Sequence, residues 1–292
     1  MNYKFKKIAA ILIIVTLWPS FGFAGEDNKK SEPLKNAVET LNETVDKLID
    51  IKDESSTVTK VELEKRSRID TFREILKLSF IEIEEVKIRL NNLKNETLKK
   101  EEIGIKEEFL SGLDKYEAHV NNVEKSLEDG LALEELKILA KDLKNWRVNE
   151  YQPTLERIFD FLFIFQSKSL IATAKNRLDK ISEDLAKIKK SGLPITKLQK
   201  LFNKAAINID EASILVNEAH KNFVSSSLKD LEMASDTEQI LKESETPTTP
   251  TAKQAPANVN SIRINLQKAL INIKTAYQTF FEMYSIAKSL II

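Results

Sequence analysis

The chain has 292 residues, with 45 Lys and Arg against 45 Asp and Glu, 2 His, 6 Gly and no Cys. The absence of cysteine excludes a disulfide framework, thiolate metal sites, a cysteine nucleophile and a lipid-modified N-terminal cysteine. So little glycine leaves scant material for phosphate-cradling loops, tight hairpins or barrel corners. At 42% hydrophobic residues the chain still has enough apolar surface to bury a core. It therefore reads as all-α: long amphipathic helices in antiparallel, coiled-coil-like hairpins and a helical bundle. Helix is expected over about three quarters of the mature chain, against roughly one third in an average domain.

Residues 1–24 have the layout of a secretory signal peptide. Lys4, Lys6 and Lys7 precede an apolar run over 8–15, Pro19 and Ser20 break it, and Gly22 and Ala24 supply the small residues of a cleavage site. The mature chain then begins at Gly25 and is exported, periplasmic or extracellular; an uncleaved N-terminal anchor is the alternative. Removing the three signal lysines leaves 42 basic against 45 acidic residues, which gives no general pull toward nucleic acid.

Residues 25–150 read as an N-terminal region of about four helices. Leu34, Val38, Leu41, Val45 and Leu48 form the first stripe, with Pro33 near the helix start. A polar stretch over 53–58 interrupts it, and Thr59 with Glu62 matches a capping box. The stripe of the next helix passes through Ile69, Phe72, Leu76, Ser79, Ile83, Val86, Leu90 and Leu93. A break is expected around 99–104, followed by a third helix through Phe109, Leu113, Tyr116, Val120, Val123 and Leu127, which Asp129 and Gly130 stop. A shorter fourth helix ends near Trp146.

Residues 151–243 read as a long antiparallel hairpin plus a short helix. Pro153 starts a helix over 154–190, roughly 55 Å long at 1.5 Å per residue. Gly192 supplies the left-handed turn and Pro194 keeps the helix from resuming. The returning helix carries Leu198, Leu201, Ala205, Ile209, Ala212, Val216, Ala219 and Phe223, whose alanines let helix axes approach closely. A separate short helix is expected around 228–241. Residues 244–260, rich in Pro, Thr and Ala, read as a flexible linker. The helix over 261–292, striped by Ile262, Leu266, Ala269, Ile273, Ala276, Phe280, Tyr284, Ala287 and Ile291, packs back on the hairpin as a three-helix bundle.

Recognisable chemistry is sparse. The His-Glu-x-x-His, Glu-x-x-His, phosphate-loop, Gly-x-Ser-x-Gly and calcium-loop patterns are all missing from the sequence. Glu117 and His119 fall on different helix faces; His119 and His220 read as histidines on the flanks of a bundle. The doublets Glu84-Glu85, Glu101-Glu102 and Glu107-Glu108 read as solvated. No catalytic, cofactor-binding or metal-binding residue is assigned, and no cofactor. Charge is polarised: residues 101–135 hold 11 acidic against 3 basic side chains, and residues 175–204 hold 9 basic against 3 acidic. Two acceptor triplets for glycosylation, at Asn42 and Asn95, are of a kind that arises by chance in such a composition.

The layout is similar to many exported coiled-coil proteins of bacteria, a resemblance carried by periodicity alone. The expected function is that of a non-enzymatic helical binding or scaffold module of the cell envelope or extracellular space, with a protein or envelope surface as partner. A membrane-active protein is the second reading. In it the basic segment 175–204 contacts anionic lipid, or the apolar cluster at 158–165 or the C-terminal Phe280, Phe281, Tyr284, Leu290 and Ile292 enters the bilayer. An enzyme built from scattered carboxylates and lysines is the third. Long stripes of this kind also close between copies of a chain, so a homo-oligomer is compatible with the pattern.

Overall fold

The computed structural model describes residues 32–53, 58–127, 131–240 and 257–291. Among these, 93% are helical and none lies in a strand. The signal-peptide segment, Asp129 and Gly130, and most of the linker fall outside the described residues. Among the described residues seven α-helices follow in chain order: α1 (Glu32–Asp53), α2 (Val58–Asn91), α3 (Lys100–Lys125), α4 (Leu133–Trp146), α5 (Gln152–Lys190), α6 (Thr196–Ile240) and α7 (Ala257–Ile291). They divide into two compact units, Met1–Lys94 with Glu107–Tyr151, and Asn95–Lys106 with Gln152–Ile292.

In the first unit α1 packs on α2: Ala37 and Leu41 bury against Leu78, with Leu34, Val38, Val45, Ile75 and Ile81 around them. Thr59 lies within α2, whose described part begins at Val58, and its side chain, half of the expected capping box, falls outside the described residues. Lys87 of α2 reaches Asp114 at 2.8 Å and also Glu117 of α3, clamping the two helices. The break between them comes earlier than the pattern suggests. The chain leaves the helix at Asn92, forms a 3-10 turn at Asn95–Thr97 and re-enters at Lys100, so Gly104 is inside α3. Glu102 sets that restart by accepting the Lys99 amide hydrogen at 2.7 Å, the reciprocal half of a cap.

No gap separates α4 from α5. Arg147–Tyr151 is a π-helical turn that leads straight into Gln152. The expected helix start at Pro153 is thus a position inside continuous helical backbone. Proline has no amide to offer residue 149 and its ring crowds that carbonyl; a wider turn just before it accommodates both effects.

In the second unit α5, α6 and α7 pack as a three-helix bundle. Gly192, at φ 81°, closes the turn between α5 and α6, where a side chain would be strained. Asn265 and Asn272 of α7 reach Glu218 and Glu211 of α6 at 3.4 and 3.2 Å; seven residues forward on one helix match seven backward on the other, which fixes an antiparallel pair. Ala205, Ala212, Ala219, Ala269 and Ala276 are fully buried, as close approach of the axes requires. The separate helix expected around 228–241 is instead the end of a single 45-residue α6. The serines before it do not break the helix: Ser226 donates back to the Phe223 carbonyl, and buried Ser227 accepts from Arg157.

Candidate functional site

Three groupings concentrate chemistry, and each lies within one unit. In the first unit an aromatic cluster surrounds the π turn. Trp146 stacks on His119 at 4.3 Å and on Tyr151 at 5.4 Å, while Tyr116 meets Trp146 and Tyr151 edge-on. Arg147 beside it donates to Ser79 at 3.0 Å and to Glu82 at 2.8 Å. Burial, aided by the Glu82 charge, pushes the Tyr151 hydroxyl far above its ordinary value, and burial holds His119 below its own. Trp146 and Tyr151 are buried, and their ring contacts order the π turn.

The second grouping lies in the three-helix unit, where Glu102 and His220 approach to 2.7 Å. Lys168 stands close enough to act on both electrostatically and lies over the Phe165 ring, which itself contacts His220. Burial, then the Lys168 charge, holds His220 below its ordinary value, with Glu102 opposing; burial lowers Lys168 as well. Glu102 is 2% exposed, which corrects its reading as half of a solvated doublet. The spacing 102, 105, 109, 113 places it on the buried stripe of α3, a signal that was present in the sequence. His220 is likewise more than a flanking histidine, since it faces this carboxylate.

The third grouping is a groove of about 350 Å³ between α5 and α7 at the end of the bundle where α5 turns into α6. Arg177, Ile181, Asp184 and Ile188 form its α5 wall and Phe280, Tyr284 and Ala287 its α7 wall. Arg263 lies on Glu156 and Asp160 near the start of α5, and Arg177 lies over the Tyr277 ring further along. Both helices therefore run in the same direction and their walls are parallel. Leu185, Leu198 and Met283 form the floor. Tyr284 in the α7 wall is 68% exposed, and Phe281, three residues before it and outside the lining, is 72% exposed.

The apolar cluster at 158–165 is mostly interior: Ile158, Phe161 and Ile164 are fully buried, and Phe161 packs on Phe223. Asp160, which interrupts that cluster in sequence, is buried too and takes the Nε of Arg263 at 3.1 Å. Burial raises its carboxyl above the usual range while Arg263 pulls it down. Among the described residues no helix is long and apolar enough to cross a membrane, and no group of three or more His, Cys, Asp or Glu is placed to hold a metal ion. Comparison with family models, with curated proteins and with solved structures finds no match for the chain.

Proposed function

We propose that the chain is an exported, non-enzymatic binding module whose three-helix unit presents the α5–α7 groove and its rim to a partner of the cell envelope or extracellular space. The observation that supports this most is the pair of exposed aromatic side chains, Phe281 and Tyr284, beside an open apolar seam. Large apolar side chains left in water next to an unfilled groove mark interaction surfaces more than stability devices. Export rests on the layout of residues 1–24. The test is to fractionate producing cells, sequence the N-terminus of the recovered chain and size it in gentle envelope extracts. The expected result is a chain that starts at Gly25, lies outside the cytoplasm and sediments with a larger assembly, from which Phe281→Glu/Tyr284→Glu releases it. A cytoplasmic chain with an intact N-terminus would overturn export. A chain that migrates alone with or without the substitutions would overturn the binding role.

A further inference from the structure

We propose that the partner of the hairpin end of the three-helix unit is an anionic lipid surface, an inference that rests on the binding-module reading above. Two features meet at this end. Lys187, Lys189 and Lys190 finish α5, Lys197 and Lys200 begin α6, and Lys288 lies in the last described turns of α7, all of them exposed. Acidic side chains among the described residues here are Asp179, Glu183, Asp184 and Glu282, and Asp184 is engaged by Lys187 at 2.9 Å. The second feature is the projecting pair Phe281 and Tyr284, 72% and 68% exposed. A tyrosine, apolar with a hydroxyl that stays wet, settles at the depth of lipid headgroups, a phenylalanine enters the apolar boundary below them, and lysines nearby attract phosphates of an anionic leaflet.

The distribution of these groups favours a plane over a cylinder. A groove built for a partner helix takes that helix's apolar anchors along its length. Here the lysines spread across the ends of three helices, on both sides of the α5–α6 turn, and of the two exposed aromatics Tyr284 borders the groove while Phe281 lies outside its lining. That arrangement suits a flat, charged, deformable surface, with lysines on phosphates and rings at the interface. No step of the proposal requires the bundle to open, because its buried alanine seam stays covered.

The test is flotation of the chain, as cells deliver it, with vesicles of phosphatidylcholine alone and of phosphatidylcholine mixed with phosphatidylglycerol, at low and high salt. The proposal expects binding to the mixed vesicles that salt weakens. Lys190→Glu/Lys197→Glu should lower the bound-to-free ratio by at least about tenfold, since each lysine near an anionic surface contributes about fivefold. Lys141→Glu/Lys144→Glu, the same charge change on exposed residues of α4, should leave most of the binding, and Phe281→Ser/Tyr284→Ser should reduce it even at low salt. All these positions are exposed, so circular dichroism should show unchanged helix. Equal binding to both vesicle types, or equal loss from the α4 and hairpin-end substitutions, would overturn the proposal. Absence of vesicle binding in a chain that still sediments with a protein assembly through Tyr284 would overturn the lipid partner and leave the binding module standing.

Discussion

The two units solve the same problem, holding long helices together, with different side chains. The second unit relies on repetition: Ala205, Ile209, Ala212, Val216 and Ala219 on α6 face a matching row on α7, each 1% exposed or less on the α6 side. Its stability is spread over many small, equivalent contacts. The first unit relies on single, unlike residues at junctions, with Lys87 between two carboxylates, Arg147 on Ser79 and Glu82, and Trp146 between two rings. A distributed seam leaves the end of the bundle free to carry exposed lysines and aromatics without loss of packing. A junction held by a few polar contacts has no such freedom.

That contrast can be broken by substitution. Phe161→Ala should have the largest effect: the ring is fully buried against Phe223, and a lost core phenylalanine typically removes about 3–5 kcal/mol. Chemical denaturation followed by circular dichroism reads it, and a loss below 1 kcal/mol, as for surface changes, would contradict the packing described. Arg147→Leu should come next, with a loss of roughly 2–3 kcal/mol, because Glu82 is left unpaired at 14% side-chain exposure. Trp146 emission should shift with it, since the aromatic cluster adjoins that arginine; an unchanged spectrum would argue against the coupling of ion pair and rings.

The smallest effect sharpens the comparison through pH. His220 has a folded value below its ordinary 6.5, so the unfolded chain binds a proton first and the contribution to stability is full above that value and declines as pH falls below it. His119 is shifted in the same direction. Thermal melts should therefore show stability falling from pH 7 to pH 5, and His220→Gln should flatten part of that slope. The slope that remains should carry the His119 share. A His220→Gln slope as steep as that of the native chain would rule out the burial of His220 beside Lys168 as its source.

How much was legible in the sequence follows the same division. The stripes of α5, α6 and α7, the Gly192 turn and the three-helix packing could be read because heptad spacing is a property of neighbours in sequence. The breaks were less readable. Thr59 looked like a cap and Pro153 like a start, yet both lie inside helical backbone, since a favourable cap residue or proline permits a boundary without forcing one. Buried charge was half readable. The spacing 102, 105, 109 and 113 puts Glu102 on the buried stripe of α3, but its partner is a histidine from α6 that lies 118 residues further along the chain, and tertiary packing alone brings the two together. The basic segment 175–204 was visible, but the groove beside it depends on the register of α7 against α5, which no local pattern encodes. Tyr284 fits the heptad stripe of the last helix and reads as covered, yet the packing of α7 leaves it 68% exposed, and Phe281 beside it 72%.

The measurement that bears most directly on the central claim is photocrosslinking in producing cells, with a benzophenone side chain placed at position 284 and, as control, at position 138, where Ile138 is 61% exposed on α4. The account predicts adducts from position 284 that position 138 does not form, and their loss when Lys190 and Lys197 are replaced by glutamate. Equal adducts from both positions, or none from 284, would contradict a recognition surface at the end of the three-helix unit.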